Sequence, residues 1–573
     1  MKDEAKATAM LFQKTGKYII IGLTGRTGSG CSTASKILSE EIIFAPSASE
    51  LYANENDSIK YRIAKSYVSQ NWRPFYSIQV RSIITGVLLR LKYEEFVSLI
   101  SDILDRIGVN VSEKLTAFKD QYEEAFDKVS NLEKMNEKDE NERDKKGEEA
   151  IGLFLGYLPG FCDRLKDYLK ENFDSESYTK LYQRVGDNIR ASGLANSSDF
   201  DENKLSTIPN IIWDLIRAIK SKESDNGACI TIDAIRNPFE AIYFQQRYSY
   251  FYLVSINTPN EVRLDHLRKE HKLSDQQISD LDNKEYPKKL SGKDIYISQN
   301  IQKCIELADI HINNPERNRY DSELRAQLVW YVALFLHPGL ITPTAIERSM
   351  QLAYTAKLNS GCVSRQVGAV VTDSNYSVKA VGWNNTPEGQ TPCILRNVKD
   401  LLFEARGIVY SKYEREDVRF QKVAKNTFNH LIDTDSLQGR NFSYCFKDIQ
   451  NEVEGEKNQV HTRSLHAEEN AFLQLAKYGG MGIQNGILFS TASPCELCSK
   501  KAYQLGMKKI VYIDPYPGIS NDHILQVGNK IPEMTLFSGA IGAAYHKLYK
   551  PIMAYKDELE MLTGYDIKRS NEK

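Results

Sequence analysis

The apolar positions of this chain fall into two separate sets of short elements. In the first set, Tyr18-Ile19-Ile20-Ile21-Gly22-Leu23, Cys229-Ile230-Thr231-Ile232 and residues 250–256 are nearly continuous apolar runs of strand length. Runs of that kind are expected as strands buried on both faces, which is the pattern of a parallel sheet covered by helices. Ile310-His311-Ile312 predicts one more short strand. In the second set, residues 486–490 and 509–513 predict buried strands, and 345–358 carries Ile346, Met350 and Ala353 at helical spacing ahead of two further strands. Helices are expected over 466–478, stopped by Gly479-Gly480, and over 495–505, opened by Pro494.

The stretches between these elements differ in kind. Residues 131–150 hold 13 charged side chains out of 20, of both signs, and read as a solvated helix laced with i,i+4 pairs or as a disordered loop. Residues 273–295 are polar and read as a lid or a connecting helix pair. Residues 316–341 read as a helical link. Residues 390–459 have no strong periodicity and read as a functional lid or a flexible arm. Residues 536–549 are apolar with small side chains and are expected to pack tightly on another element. The expected organisation is a polar lead-in at 1–16, an α/β domain at 17–315, the link at 316–341 and a second α/β domain at 342–573.

Composition narrows the class without changing that picture. The chain has 573 residues, 41% hydrophobic and 26% charged, as expected of several globular domains. A formal net charge of −2 removes any global electrostatic case for nucleic-acid binding. Nine cysteines without a secretory signal pattern predict a reducing, cytoplasmic setting with metal-bound or free thiols. No run of 18 apolar residues occurs, so no membrane span is expected.

The chemistry concentrates near the carboxyl end. His466-Ala467-Glu468 is followed by Ser493-Pro494-Cys495-Glu496-Leu497-Cys498. Zinc takes nitrogen and sulfur ligands tetrahedrally, and a catalytic site keeps one position open for water. His466, Cys495 and Cys498 supply three ligands, with the two cysteines one turn apart at a helix start, where the dipole favours thiolate. Glu468, two residues beyond the histidine, is the expected proton shuttle. A His-x-Glu with Pro-Cys-x-x-Cys is the signature of the zinc nucleobase deaminases.

The flanks sharpen the family. Ser364-Arg365-Gln366-Val367-Gly368-Ala369-Val370-Val371 and Val381-Gly382-Trp383-Asn384-Asn385-Thr386-Pro387-Glu388-Gly389 resemble the opening of the deoxycytidylate deaminases from about residue 342 onward. Asn385 stands where that pattern usually has glycine. The resemblance implies an α/β/α cytidine deaminase-like fold with Arg365, Asn384, Ser493, Tyr512 and Tyr516 at the substrate. Asn384 would bond the sugar, and the Ser493 carbonyl would accept from the cytosine amino group. It also implies a second, structural zinc held by Cys362 and Cys393. Cys445 and His461 are taken as the other two ligands.

At the other end, the first strand runs into Thr24-Gly25-Arg26-Thr27-Gly28-Ser29-Gly30-Cys31-Ser32-Thr33 and then a helix. This is the layout of a phosphate-binding P-loop, from Gly25 to Gly30, with Ser32 placed to ligand Mg2+. Cys31 stands in the lysine position, so the expectation is nucleotide binding with little or no hydrolysis. Asp233 closes a strand at a Walker-B-like position. With residues 181–190 and the helix bearing Arg263 and Arg268, residues 17–315 resemble the deoxynucleoside monophosphate kinases, a P-loop, nucleotide-kinase-like parallel-sheet domain.

Over nearly its whole length the chain resembles the bacterial antiviral deoxycytidylate deaminases. That resemblance implies deamination of dCMP or dCTP, depletion of the deoxycytidine nucleotide pool during phage infection, and control by the P-loop domain. It also implies a homo-oligomer, a hexamer among the options, and a regulatory RNA. Two other readings stay open. One is an editor of single-stranded nucleic acid, which needs a basic groove and stacking aromatics. The other is a nucleotide-sensing regulator, for which Cys31 speaks.

Overall fold

The computed structural model describes residues 16–47, 54–104, 111–135, 139–270, 272–287, 290–315, 322–404, 406–432, 435–479, 482–514 and 519–564. The chain divides into two units: Met1–Thr342 with Ala543–Lys573, and Pro343–Gly542.

In the first unit, strands β1 (Tyr18–Thr24), β2 (Tyr76–Gln79), β3 (Ala228–Asp233), β4 (Phe251–Asn257) and β5 (Ile310–Asn313) lie in the order β5-β4-β1-β3-β2. Each neighbouring pair is parallel, with Ile20 beside Ile230 and beside Phe251. The apolar runs are the reason: both faces of β1 are covered, so almost every residue in it is buried. Ile20, Ile78, Ile230 and Leu253 share one core with helices Val80–Leu88, Leu158–Asn172, Ser177–Ser192 and Thr207–Lys222.

The charged stretch takes the solvated-helix form where it is described. Helix Glu140–Ile151 is capped by Asp139, which accepts from the Glu142 N–H at 2.8 Å. The expected link at 316–341 proves different. Helix Ser322–Leu336 is buried on every side from Leu328 to Leu336. A helix apolar all round belongs in a core, and this one packs on helix Glu55–Asn71. Residues 543–573 join this unit rather than the second. The Gly339 N–H bonds the Leu548 carbonyl at 2.8 Å, and His337 Nε2 lies 2.7 Å from Glu558 Oε1, both groups buried.

The second unit carries β6 (Gly368–Thr372), β7 (Val378–Trp383), β8 (Ile487–Ala492), β9 (Lys509–Asp514) and β10 (Glu533–Leu536), ordered β10-β9-β8-β6-β7. The β6 strand is antiparallel to both neighbours, and the remaining pairs are parallel. Alternate residues of β6 divide the core into two layers. Val370 packs with Met350 and Ala353 of helix Ala345–Lys357 on one face. Ala369 and Val371 pack with Ala467 and Ala471 of helix Ala467–Tyr478 on the other, together with Ala502 of helix Glu496–Gln504. The small residues near 540 pack as expected: a Cβ on Gly539 would meet Glu347 Cγ at 2.4 Å.

The 390–459 insertion, where described, packs around a core of its own rather than forming a loose arm. Its helices Val398–Phe403, Val418–Phe428 and Phe446–Glu454 enclose a core of Val398, Leu401, Tyr410, Phe420, Ala424, Tyr444 and Ile449. A buried Arg396–Glu414 pair, joined by the Tyr444 hydroxyl, fixes that core.

One glycine seats the helix that matters most. A Cβ on Gly382 would stand 2.3 Å from the Ala467 carbonyl oxygen and 2.4 Å from the Ala471 nitrogen, so β7 and helix Ala467–Tyr478 meet backbone to backbone. Gly382→Ala is expected to destabilise the protein by about 1–3 kcal/mol in denaturant unfolding. Gly482→Ala, into open space, is expected to change stability by no more than about 0.5 kcal/mol. Equal effects of the two would show that the helix is not held by this contact.

Candidate metal centre

Two helices begin at the same point. His466 is the N-cap of helix Ala467–Tyr478, and Cys495 is the N-cap of helix Glu496–Gln504. The first helix is placed by Gly382 and by Asn470, whose Nδ2 donates to the Trp383 carbonyl at 2.9 Å. The second follows directly on buried β8, with the Pro494 carbonyl accepting from Ser520 Oγ at 2.9 Å.

The two starts bring three ligand atoms together. His466 Nδ1 lies 3.2 Å from Cys495 Sγ and 3.5 Å from Cys498 Sγ, and all three atoms fall within 4.8 Å of one another. Metal bonds of about 2.0–2.3 Å at tetrahedral angles put ligand atoms about 3.6 Å apart. The trio therefore fits zinc, and the donor set of one imidazole and two thiols is one zinc prefers. A hydrogen bond from Cys498 holds the Cys495 thiol down at about 3, with His466 adding to the effect. The same hydrogen bond and burial push Cys498 upward. His466 is raised above 6.5, chiefly by its bond to Cys495.

Glu468 sits on the first turn of the histidine helix, 4% exposed, and burial raises its carboxyl above the ordinary 4.5. Ser490 Oγ, on β8, donates to Glu468 Oε1 at 2.9 Å. Glu469 accepts from the His466 N–H at 3.4 Å and pairs with Lys501, joining the two helices. Sequence reasoning passed over Ser490, Glu469 and Lys501. The capping-box spacing, an acid three residues after the N-cap, is the signal that points to Glu469.

The other expected residues are placed as follows. Asn384 is buried, its Oδ1 accepting from the Val367 N–H at 2.7 Å and its Nδ2 donating to the Arg365 carbonyl at 2.6 Å, so its amide closes the turn ahead of β6. Arg365 pairs with the fully buried Asp514 at the end of β9, whose carbonyl accepts from the Ser493 N–H at 2.9 Å. Tyr512 is half-buried on β9, its hydroxyl pKa raised by burial. Tyr516 lies outside the described residues. The ligand atoms of Cys362, Cys393, Cys445 and His461, all described, are not among those that meet within 4.8 Å of one another. His461 Nε2 lies 2.8 Å from Glu454 Oε2.

In the first unit, β1 leads through Gly25, Arg26, Thr27, Gly28, Ser29 and Gly30 into helix Cys31–Leu38, with Gly28 at φ 87° and Gly30 at φ 109°. Ser32 hydrogen-bonds Asp233, whose pKa is raised by burial. Thr33 follows, half-buried in the first turn. Burial pushes the Cys31 thiol up to about 12, leaving it neutral. Arg263 is buried against the loop, donating to the Thr27 carbonyl at 3.2 Å, while Arg268 pairs with Asp275 at the surface. No described helix is long and apolar enough to cross a membrane.

Residues 343–514 match the family model described as "Cytidine and deoxycytidylate deaminase zinc-binding region". The chain is 28% identical over 170 residues to the deoxycytidylate deaminase of Enterobacteria phage T2, covering 29% of this chain and 78% of that enzyme. It is 28% identical over 213 residues to the deoxycytidylate deaminase of Schizosaccharomyces pombe, covering 37% of this chain and 48% of that enzyme. The dCMP deaminase of cyanophage S-TIM5, solved with dCMP and dUMP, is 26% identical, covers 34% of this chain and 99% of its own, and superposes with a TM-score of 0.21. The protein is a zinc-type deaminase, a hydrolase.

Removing one sulfur separates metal binding from folding. Cys498→Ala is expected to lose zinc in metal analysis of the purified protein, because two remaining ligands do not hold the ion. Glu468→Gln, which changes no ligand, is expected to keep its zinc. Loss of zinc in both variants would refute the assigned ligand set.

Proposed function

We propose that this chain hydrolytically deaminates a free deoxycytidine nucleotide, dCMP or dCTP, to the deoxyuridine nucleotide and ammonia. The observation that carries the reading is the meeting of His466, Cys495 and Cys498 beside the buried Glu468. Zinc held by the three ligands supplies water activation at neutral pH. The remaining chemistry falls to side chains and backbone of this chain. Glu468 takes a proton from the attacking water and gives it to N3 of the pyrimidine ring, then takes the proton of the new C4 hydroxyl and passes it to the amino group, which leaves as ammonia as the C4 carbonyl forms. Its raised pKa suits a group that must both accept and release a proton. The Ser490 hydrogen bond fixes its orientation.

The Ser493 carbonyl is assigned to the cytosine amino group, Asn384 to the sugar, and Arg365, Tyr512 and Tyr516 to the rest of the nucleotide. Hydrogen bonds from Val367 and to Arg365 pre-set the Asn384 side chain, while Asp514 holds Arg365. The phage and yeast relatives are named for the deoxycytidine monophosphate, which favours a free nucleotide over a polymer. The formal charge of −2 points the same way.

The proposal extends to the first unit. Its glycine loop, with Ser32 facing Asp233, is read as a phosphate cradle that binds a nucleotide with Mg2+ and regulates the deaminase. Cys31 leaves it without the usual lysine, so it hydrolyses slowly or not at all. Depletion of the deoxycytidine nucleotide pool during phage infection, in a cytoplasmic homo-oligomer answering to a regulatory RNA, completes the proposed role.

Ammonia release from dCMP, dCTP, CMP and CTP, each supplied alone, tests the assignment. Activity is expected with at least one deoxynucleotide, and product from a cytidine oligonucleotide with none from the free nucleotides would overturn it. Glu468→Gln is expected to lower kcat by about 10²–10⁴-fold with zinc retained. Ser490→Ala is expected to lower kcat by about 10- to 100-fold with little change in KM. Full activity in Ser490→Ala would remove its positioning role.

A further inference from the structure

At Thr27 the glycine loop of the first unit already holds an anion of the protein's own. Glu285 ends helix Asp275–Glu285 and is fully buried. Its carboxylate accepts from the Thr27 N–H at 3.1 and 3.2 Å, from the Thr27 hydroxyl, and from Arg236 Nη1 at 2.7 Å. Asp282, one turn earlier, pairs with Arg26 at 2.6 Å and with Arg263 at 2.7 Å. Three guanidinium groups thus converge on one loop, and two carboxylates of one helix answer them. The neutral Cys31 adds no charge there. Arg263 is 1% exposed, and its buried Nε has no hydrogen-bond partner, so the cationic set is not fully satisfied by the helix. Burying the Arg263 guanidinium is costly without an anion to pair it, and Asp282 supplies one.

We propose that helix Asp275–Glu285 is a stopper. Its Glu285 and Asp282 carboxylates stand where the phosphates of a polyphosphate ligand bind, and such a ligand enters only by displacing them. The inference rests on the reading of the loop as a phosphate cradle and adds what fills it. It makes the cradle self-occluded: ligand and helix compete for the Thr27 N–H, Arg236, Arg26 and Arg263. A polyphosphate brings more negative charge than the two carboxylates it replaces, and guanidinium groups bind phosphate oxygens bidentately.

Binding of Mg·ATP and, separately, of inorganic pyrophosphate to the full chain, measured by calorimetry, tests this. Glu285→Gln keeps the shape and removes the charge, and it is expected to bind at least one of the two about tenfold more tightly than the unaltered protein. Asp282→Asn is expected to shift affinity in the same direction. In the unaltered protein, saturating ligand is expected to speed amide hydrogen exchange across residues 275–285. Either ligand binding more tightly supports the stopper, and preference for ATP over pyrophosphate assigns the ligand as a nucleotide. Binding to the unaltered protein with no gain in Glu285→Gln overturns the stopper and leaves the cradle standing. No binding to any of the three proteins overturns both. If Glu285→Gln does not fold, unchanged exchange in the ligand-bound unaltered protein overturns the stopper. The deaminase assignment is untouched by each of these results.

Discussion

The second unit depends on two helices starting at one place. A helix start offers unpaired N–H groups and the positive end of the backbone dipole, both of which favour thiolate. Here one start supplies an imidazole and the other two sulfurs, spaced by a single turn. The imidazole and sulfurs meet only because neither helix can slide. Gly382 lets one helix touch β7 without an intervening side chain, and buried β8 delivers the other. A displacement of about 1 Å would break the fit of three ligands to a metal.

Charge placement around that meeting point follows one logic. Groups that hold geometry are paired, and Glu468, proposed to move protons, is buried with a raised pKa. Glu469 and Lys501 tie the helices, and Arg365 and Asp514 tie the turn before β6 to the end of β9. Glu468 accepts from the neutral Ser490 hydroxyl at Oε1. The first unit shows the opposite arrangement, where cations dominate and carboxylates are brought from elsewhere in the chain to match them.

The legible part of this molecule is the part encoded locally. Cys495 and Cys498 sit one turn apart, so their common face follows from helix geometry, and the strand before them is a plain apolar run. Strands β1, β3, β4 and β5 of the first unit are readable for the same reason, while the short β2, Tyr76–Gln79, carries no such run. What answers a group across the fold is not. Glu285 is 258 positions from Thr27, and no periodicity connects them. Arg263 and Arg268 look alike in sequence, yet one is buried on the loop and the other pairs at the surface. Of the residues named for a second zinc, His461 has Nε2 2.8 Å from Glu454, a partner 7 positions away that the cysteine pattern does not show. Residues 316–341 read as a helical link, and the described helix Ser322–Leu336 within them is core, buried on every side from Leu328 to Leu336.

The insertion with its own Arg396-centred core has a topological consequence. Its flanks are stitched together where Leu465 bonds Asn385 at 2.8 Å, immediately beside the histidine helix. The chain therefore leaves and re-enters the catalytic frame through a single gate. A cassette mounted that way can grow, shrink or be exchanged over evolutionary time without re-registering β7 against the helix that follows it. Its closing entropy changes only slowly with its length.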